Sequence, residues 1–291
     1  MRPTVSIVIA TYRRDETLRR AISSAVGQTY PLVEVVVVDD NANEAWNNTV
    51  RGILSDFPQV RLIVNGENKG SAETRNIGIR ASSGEYVTFL DDDDVYLPDK
   101  LEKQLEAMLH ENADYCITDL YLYNESGKLT DRRIRSYIKS YETADLIRYH
   151  LMYHMTGTDS MMFRKSYLLS IGGFPPIDLG DEFYLMCRAI EAAGRFAYSS
   201  GCSIKAYVHS GENGLSSGQN KIKCENDLFE YKRSFFGKIG RRSVRYIRMR
   251  HYASLAFAYL RLKKYLAFVL NGLKAVLCSP IGALKLLGAR H

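Results

Sequence analysis

Residues Gly84 to Asp94 read Gly-Glu-Tyr-Val-Thr-Phe-Leu-Asp-Asp-Asp-Asp, an apolar run that ends in four consecutive carboxylates. Tyr86 to Leu90 has the aromatic and β-branched content of a buried strand. Four adjacent acids repel one another, and each resists ionising unless a cation or water compensates it. In an open parallel sheet, ligands bind in the crevice at the carboxyl ends of the strands. The run therefore points to a hard divalent cation held by oxygen ligands. The competing reading is a solvated acidic turn leading into a helix that starts near Pro98.

The chain ahead of this run alternates between two patterns. Val5 to Ala10 is apolar, too short for a secretory h-region and without a small-residue cleavage site, so it is expected to be a buried strand. Leu18, Ala21, Ile22 and Ala25 follow at helical spacing behind Asp15, a plausible cap. Val33 to Val38 is nearly all β-branched, a helix is expected from about Glu44 to Phe57, Val60 to Val64 is a short strand, and a further helix follows Gly70. Continuous apolar strands separated by amphipathic helices predict an α/β fold, a mostly parallel sheet with helices on both faces.

Beyond the acidic run, Pro98 suits the first turn of a helix through Leu101, Leu105, Met108 and Leu109, and Ala113 to Thr118 resumes the sheet. Asn124 to Gly127 signals a turn. Met161 to Phe163 is a strand, Gly172-Gly173-Phe174 a turn, and a helix runs to about Ala193.

The five cysteines contain no CxxC pair, so they signal neither a zinc site nor a disulfide framework and suit a reducing cytosol. Charge divides the chain more sharply. From Tyr231 to His291 there are fourteen Lys or Arg and no Asp or Glu, whereas the first 230 residues hold twenty-five basic and thirty-three acidic groups. Two domains are expected on this basis, 1–230 and a basic helical tail over 231–291.

Each early strand ends in polar residues suited to a ligand: Thr11-Tyr12-Arg13, then Asp39-Asp40-Asn41, then Asp91 to Asp94. In a parallel sheet these ends converge on one crevice. Neither GxGxxG nor GxxxxGK[ST] is present, so phosphate would have to be held by other means. A metal at the acidic run, with Arg75 and Arg13, would neutralise a diphosphate. Taken singly, Tyr12 also reads as a rim aromatic and Asp40 as a helix cap.

The ordered set VSIVIATYRR, VEVVVVDDNAN, GSAETRNIGIRASSGEYVTFLDDDD, GGF and GDEFYLMCR resembles the family-2 glycosyltransferases with the nucleotide-diphospho-sugar transferase (GT-A) fold, over roughly residues 3 to 215. The resemblance implies a Rossmann-like sheet and a transfer of sugar from a nucleotide diphosphate, UDP in first place, to a hydroxyl of an envelope polysaccharide or lipid-linked glycan. It places Thr11 and Tyr12 at the uracil, Asp40 on the base, and Arg75 on the nucleotide. Within the acidic run, Asp91 to Asp93 overlay the family's DxD motif, which implies Asp93 as the direct ligand of Mn2+ or Mg2+ and Asp92 or Asp91 near the ribose. His209 matches a histidine that meets the metal or diphosphate in some members, and otherwise reads as a hydrogen-bonded loop residue.

An inverting transfer needs a carboxylate to take the acceptor's proton. Asp181 follows a glycine at a strand-to-helix junction, and Glu182 stands six residues before Arg188; both match forms of the family motif, with Asp181 placed first. Both also suit a helix N-terminus. Acceptor specificity is expected between Asp119 and Thr158, where the pattern departs from the family's. The rival function is a non-catalytic nucleotide-binding or membrane scaffold of the same fold. The tail carries no nucleic-acid recognition motif, and Leu255, Tyr259, Leu262, Leu266, Val269, Leu270 and Leu273 continue at helical steps among its basic residues. Asn271, Lys274 and Pro280 oppose a membrane span, so the expected location is cytoplasmic and peripheral, with the tail on an anionic membrane surface.

Overall fold

The computed structural model describes residues 2–177, 180–208 and 218–288. They form two compact units, one made of residues 1–143 and 155–209 and the other of 144–154 and 210–291. The second unit therefore begins before residue 230. A single helix, α8 (Gly218–Arg233), runs through the position where the charge balance changes, because charge composition marks a surface property and not the end of a packed element.

In the first unit the expected alternation is present: β1 (Val5–Thr11), α1 (Glu16–Val26), β2 (Val33–Asp39), α2 (Glu44–Leu54), β3 (Arg61–Val64), α3 (Gly70–Ala81) and β4 (Tyr86–Phe89). Leu18, Ala21, Ile22 and Ala25 form the buried face of α1, and the Asp15 side chain accepts from Glu16 N at its start. Strands β1, β2, β3 and β4 are mutually parallel in the order β3-β2-β1-β4. Val5, Ile7, Ile9, Val35 and Val37 line a core that includes the helix residues Leu18, Ile22 and Val50.

The remaining elements make the sheet mixed. They are β5 (Val95–Tyr96), α4 (Lys100–His110), β6 (Tyr115–Asn124), β7 (Leu129–Arg133), β8 (Met161–Arg164), α6 (Lys165–Ser170), α7 (Asp181–Glu191) and β9 (Phe196–Val208), with α5 (Thr143–Tyr153) between β7 and β8. Among the described residues the sheet continues from β4 through β8, β6 and β9 to β5, with β7 pairing on β6. Strand β8 lies antiparallel between β4 and β6, which reverses the expected polarity at the middle of the sheet. The turn at Asn124 to Gly127 closes the β6–β7 hairpin, with Gly127 at φ +75°. In α4 the buried side is Leu101, Leu105 and Met108, joined by Lys100 and Gln104, while Leu109 is 51% exposed.

The second unit is helical. Besides α8 it contains α9 (Arg241–Arg261), α10 (Tyr265–Cys278) and α11 (Pro280–Gly288), with α5 contributed from the middle of the chain. Phe229 of α8 stacks on His251 of α9 at 3.9 Å between ring centroids, and Glu225 accepts from Ser254 Oγ at 2.9 Å.

Candidate active site

Asp91 to Asp94 form a tight turn, with Asp94 N bonded to Asp91 O at 3.1 Å, that carries the chain from β4 into β5. Within so short a turn the four carboxylates take different partners. Asp91 accepts from Arg75 Nη2 at 2.7 Å. Asp92 accepts from the backbone N of Tyr12 at 3.1 Å and from Arg14 Nε at 3.3 Å. Asp93 takes Arg14 Nη2 at 2.8 Å, and its carbonyl takes Arg20 Nη2 at 2.9 Å. Asp94 turns inward and accepts from Tyr207 N at 2.8 Å.

The carboxylates that converge are Asp91, Asp94 and Asp159, whose oxygens lie within 4.8 Å of one another. Asp159 belongs to a 3-10 turn, Thr158–Ser160, directly ahead of β8. Its Oδ1 accepts from Asp91 N at 2.6 Å. Asp93, expected as the metal ligand, is not one of these three; its Oδ2 accepts from Arg14. Asp159 was not apparent from the sequence, although an aspartate just before a strand that pairs antiparallel with β4 must lie opposite the acidic end of β4.

Burial raises the carboxyl of Asp92 to about 7, with the charge of Asp93 adding to the effect and Arg14 opposing it. Asp94 is raised well above the ordinary carboxylate range by burial and by Asp159, and Asp159 is raised by burial and by Asp91. Such a set of oxygen-only donors, costly to ionise without a counter-charge, fits a hard divalent cation. Beneath it lies Lys100, fully buried, whose Nζ donates to Thr88 Oγ1 at 2.5 Å and sits 4.1 Å from the centre of the Tyr96 ring. Burial lowers the Lys100 ammonium to about 7, against the attraction of Asp159. The sequence signal was available: Lys100, Gln104 and Met108 lie at helical spacing on the apolar side of α4.

The first two strand ends meet beside this turn. Thr11 pairs with Asp39 across β1 and β2, and Asp40 N donates to Thr11 O at 3.0 Å. Arg13 has φ +53°, donates from its backbone to Asn41 Oδ1 at 2.7 Å, and places its guanidinium 5.0 Å from the Tyr12 ring. Tyr12 is 44% exposed, which leaves an aromatic face open to a planar ligand. Asp40 is differently engaged. Its Oδ1 accepts from Lys69 N and Asn65 Nδ2, both at 2.8 Å, and its Oδ2 from Gly70 N at 3.0 Å. It therefore caps α3 from the end of β2.

Helix α3 in turn positions Arg75, whose guanidinium bridges Asp91 and Asp181, the latter at 3.0 Å from Nη1. Burial alone would lower the Arg75 pKa, but Asp91 and Asp181 more than offset it and keep the group charged. Asp181 also accepts Glu182 N at 3.0 Å, so both of its oxygens are engaged. Burial raises Asp181 to about 7 despite Arg75. Glu182 is half-buried in the same first turn of α7, and its carboxyl is likewise raised by burial. His209 lies outside the described residues.

The next residue of α3, Asn76, clamps the glycine turn, accepting Phe174 N at 2.8 Å and donating to Phe174 O at 2.9 Å. Phe174 packs edge-on against Phe89 at 4.8 Å and lies 5.4 Å below the Arg75 guanidinium. Gly173 stands at φ +62°, where an added Cβ would come within 2.4 Å of Asn76 Oδ1. Gly173→Ala is thus expected to break the clamp and cost about 2 kcal/mol, lowering Tm by roughly 5 °C in a thermal melt.

The family model for glycosyl transferase family 2 matches residues 6–168, more than half of the chain. The chain belongs to this family. Among the glycosyltransferases it is similar to, the succinoglycan biosynthesis protein ExoO of Rhizobium meliloti is 28% identical over 227 residues, covering 72% of this chain and 62% of that protein. The Escherichia coli UDP-Glc:alpha-D-GlcNAc-diphosphoundecaprenol beta-1,3-glucosyltransferase WfgD is 31% identical over 123 residues, 42% of this chain and 48% of that protein. The chain thus spans about half to three-fifths of the length of these relatives. Among solved structures, S. aureus TarS 1-349 in complex with UDP-GlcNAc superposes with a TM-score of 0.58 at 14% identity, over 94% of this chain and 91% of that one. The shared architecture is the GT-A glycosyltransferase fold; in this chain it is followed by the helical C-terminal region α8 to α11.

Proposed function

We propose that this glycosyltransferase moves a sugar, with inversion, from a UDP-sugar to a hydroxyl of an envelope polysaccharide or lipid-linked glycan, with a divalent cation at the acidic turn. One observation carries the reading: Arg75 ties the metal-suited group Asp91, Asp94 and Asp159 to the first turn of α7, so a donor-binding and a proton-accepting region are held by one side chain. The UDP-GlcNAc named with TarS supports the donor, and the names of ExoO and WfgD support the acceptor class.

In this reading Tyr12 stacks on the uracil, Thr11 and Asp92 border the nucleoside, and Arg13 and Arg14 face the diphosphate. Asp91, Asp94 and Asp159 would hold Mn2+ or Mg2+. When bound, such an ion supplies positive charge that stabilises the departing diphosphate. Glu182 takes the proton of the acceptor hydroxyl as its oxygen bonds to the anomeric carbon and the bond to the diphosphate breaks on the opposite face. Asp181, with both oxygens committed, acts as a positioning residue through Arg75. This reading takes the two acids in the opposite order to the one the sequence suggests, on the ground that Asp181 already accepts from Arg75 and from Glu182 N.

The test is a panel of UDP-sugars offered with Mn2+ or Mg2+ and a polyprenyl-diphosphate-linked sugar acceptor, followed by UDP release and product mass. Acceptor-dependent UDP release with one sugar added is the expected result. Donor binding with no acceptor-dependent turnover from any sugar of the panel overturns the assignment in favour of a binding module.

A further inference from the structure

We propose that the outer face of α10 and α11 is a docking surface for an anionic lipid bilayer, into whose interfacial layer its leucines insert. The two helices are turned opposite to the usual sense. Ala275 and Ala283 pack inward on Met249 and Ala253 of α9, while the large side chains face outward. Leu266 is 76% exposed, Leu273 58%, Leu277 79%, Ile281 71% and Leu284 70%. A helix of a soluble protein puts its large apolar side inward and its small or polar side in water.

The spacing makes these residues one stripe. Leu266, Leu270, Leu273 and Leu277 recur at three- and four-residue steps, which align along one side of a helix, and the pattern continues in α11. Among the described residues no helix is long and apolar enough to cross a membrane. An amphipathic helix of this kind lies in the plane of the interface.

Charge selects the occupant. Lys263 and Lys264 are exposed at the start of α10, and Lys274 borders the stripe with its ammonium 5.5 Å from the Tyr252 ring. Arg245 donates to Cys278 O at 3.0 Å, capping the far end of the same helix. From Tyr231 onward no acidic residue offsets them. A second copy of the chain would bring like charges face to face, whereas an anionic leaflet attracts every one of them. Apolar side chains and basic borders together match a lipid surface.

The experiment uses the full chain and sedimentation with vesicles of phosphatidylglycerol and phosphatidylcholine, beside vesicles of phosphatidylcholine alone. The expected result is pelleting with the anionic vesicles that weakens as salt rises. Replacing Leu266, Leu273 and Leu277 together by Ser should lower the partition coefficient by at least about tenfold, since each exposed leucine loses its transfer into the interface. A separate probe, Leu273→Trp in a Trp46→Phe background, should show a blue-shifted emission on adding anionic vesicles, and it serves alone if the triple variant does not fold. Wild-type chain that stays in the supernatant at low salt, an unchanged partition of a folded triple variant, or a Trp emission that does not move each overturns the proposal. So does a dimeric wild type that becomes monomeric in the triple variant, because the stripe then belongs to a second copy.

Discussion

Glu182→Gln should retain UDP-sugar binding while turnover falls by about 10² or more, since a positioned general base contributes about 10²–10⁴-fold. Asp181→Asn should behave differently. Losing the charge that Arg75 bridges loosens the link between α3 and α7, so donor affinity and turnover should fall together. The pH profile separates the two roles. A base works deprotonated, and burial raises the Glu182 carboxyl above its ordinary range near 4.3, so the acid limb of the kcat profile should sit above that value. As pH falls through the raised pKa, turnover is lost; the limb should vanish in Glu182→Gln. Kinetics and calorimetry on the two variants check this, and equal, minor losses in both would remove the pair from the mechanism.

The second large effect concerns the acidic turn. Asp159→Asn keeps an oxygen that can accept Asp91 N but removes one of three converging charges. Without divalent ions the variant should be as stable as the parent or more so, because repulsion with Asp91 and Asp94 is relieved. With Mn2+ and UDP the parent should gain a thermal shift that the variant lacks, as a ligand stabilises the state it binds. A metal affinity at least about tenfold weaker is expected, since even outer partners of a ligand set cost 10–100-fold. Identical Mn2+-dependent shifts in parent and variant would falsify the assignment of Asp159 to the cation.

The first half of the sheet was legible because its strands are continuous apolar runs and its helices have one buried side, as in α1 with Leu18, Ala21, Ile22 and Ala25. That the polar ends of β1, β2 and β4 adjoin also followed, since the three strands are parallel neighbours. What the sequence concealed is what depends on polarity and pairing. Nothing local to Met161–Arg164 says that β8 runs antiparallel beside β4, yet that reversal brings Asp159 to Asp91. Arg14 and Arg13 look alike in sequence, as adjacent residues at a strand end, until the backbone at φ +53° separates their directions. Asp40 stands out at the end of β2, but its partners Lys69 and Gly70 lie at the start of α3, and nothing in the sequence reveals how that helix approaches β2. In the tail, helical periodicity was visible; which side of α10 faces α9 was not, and the small side proved to be the inner one.

Strand β5 follows the acidic turn immediately, yet its partner is β9, with Val95 opposite Lys205. The four parallel strands β1 to β4 can pair within the first ninety residues, but the far side of the turn is anchored only after chain more than a hundred residues away has arrived. Closing so long a loop is entropically slow to reward, and contacts of this separation form late. During synthesis from the N-terminus, the strand that presents the carboxylates is therefore ready well before the strand that shapes them into a site. The pairing of β5 with β9 and the bond from Tyr207 N to Asp94 thus make the shape of the acidic turn depend on the most distant strand of the sheet.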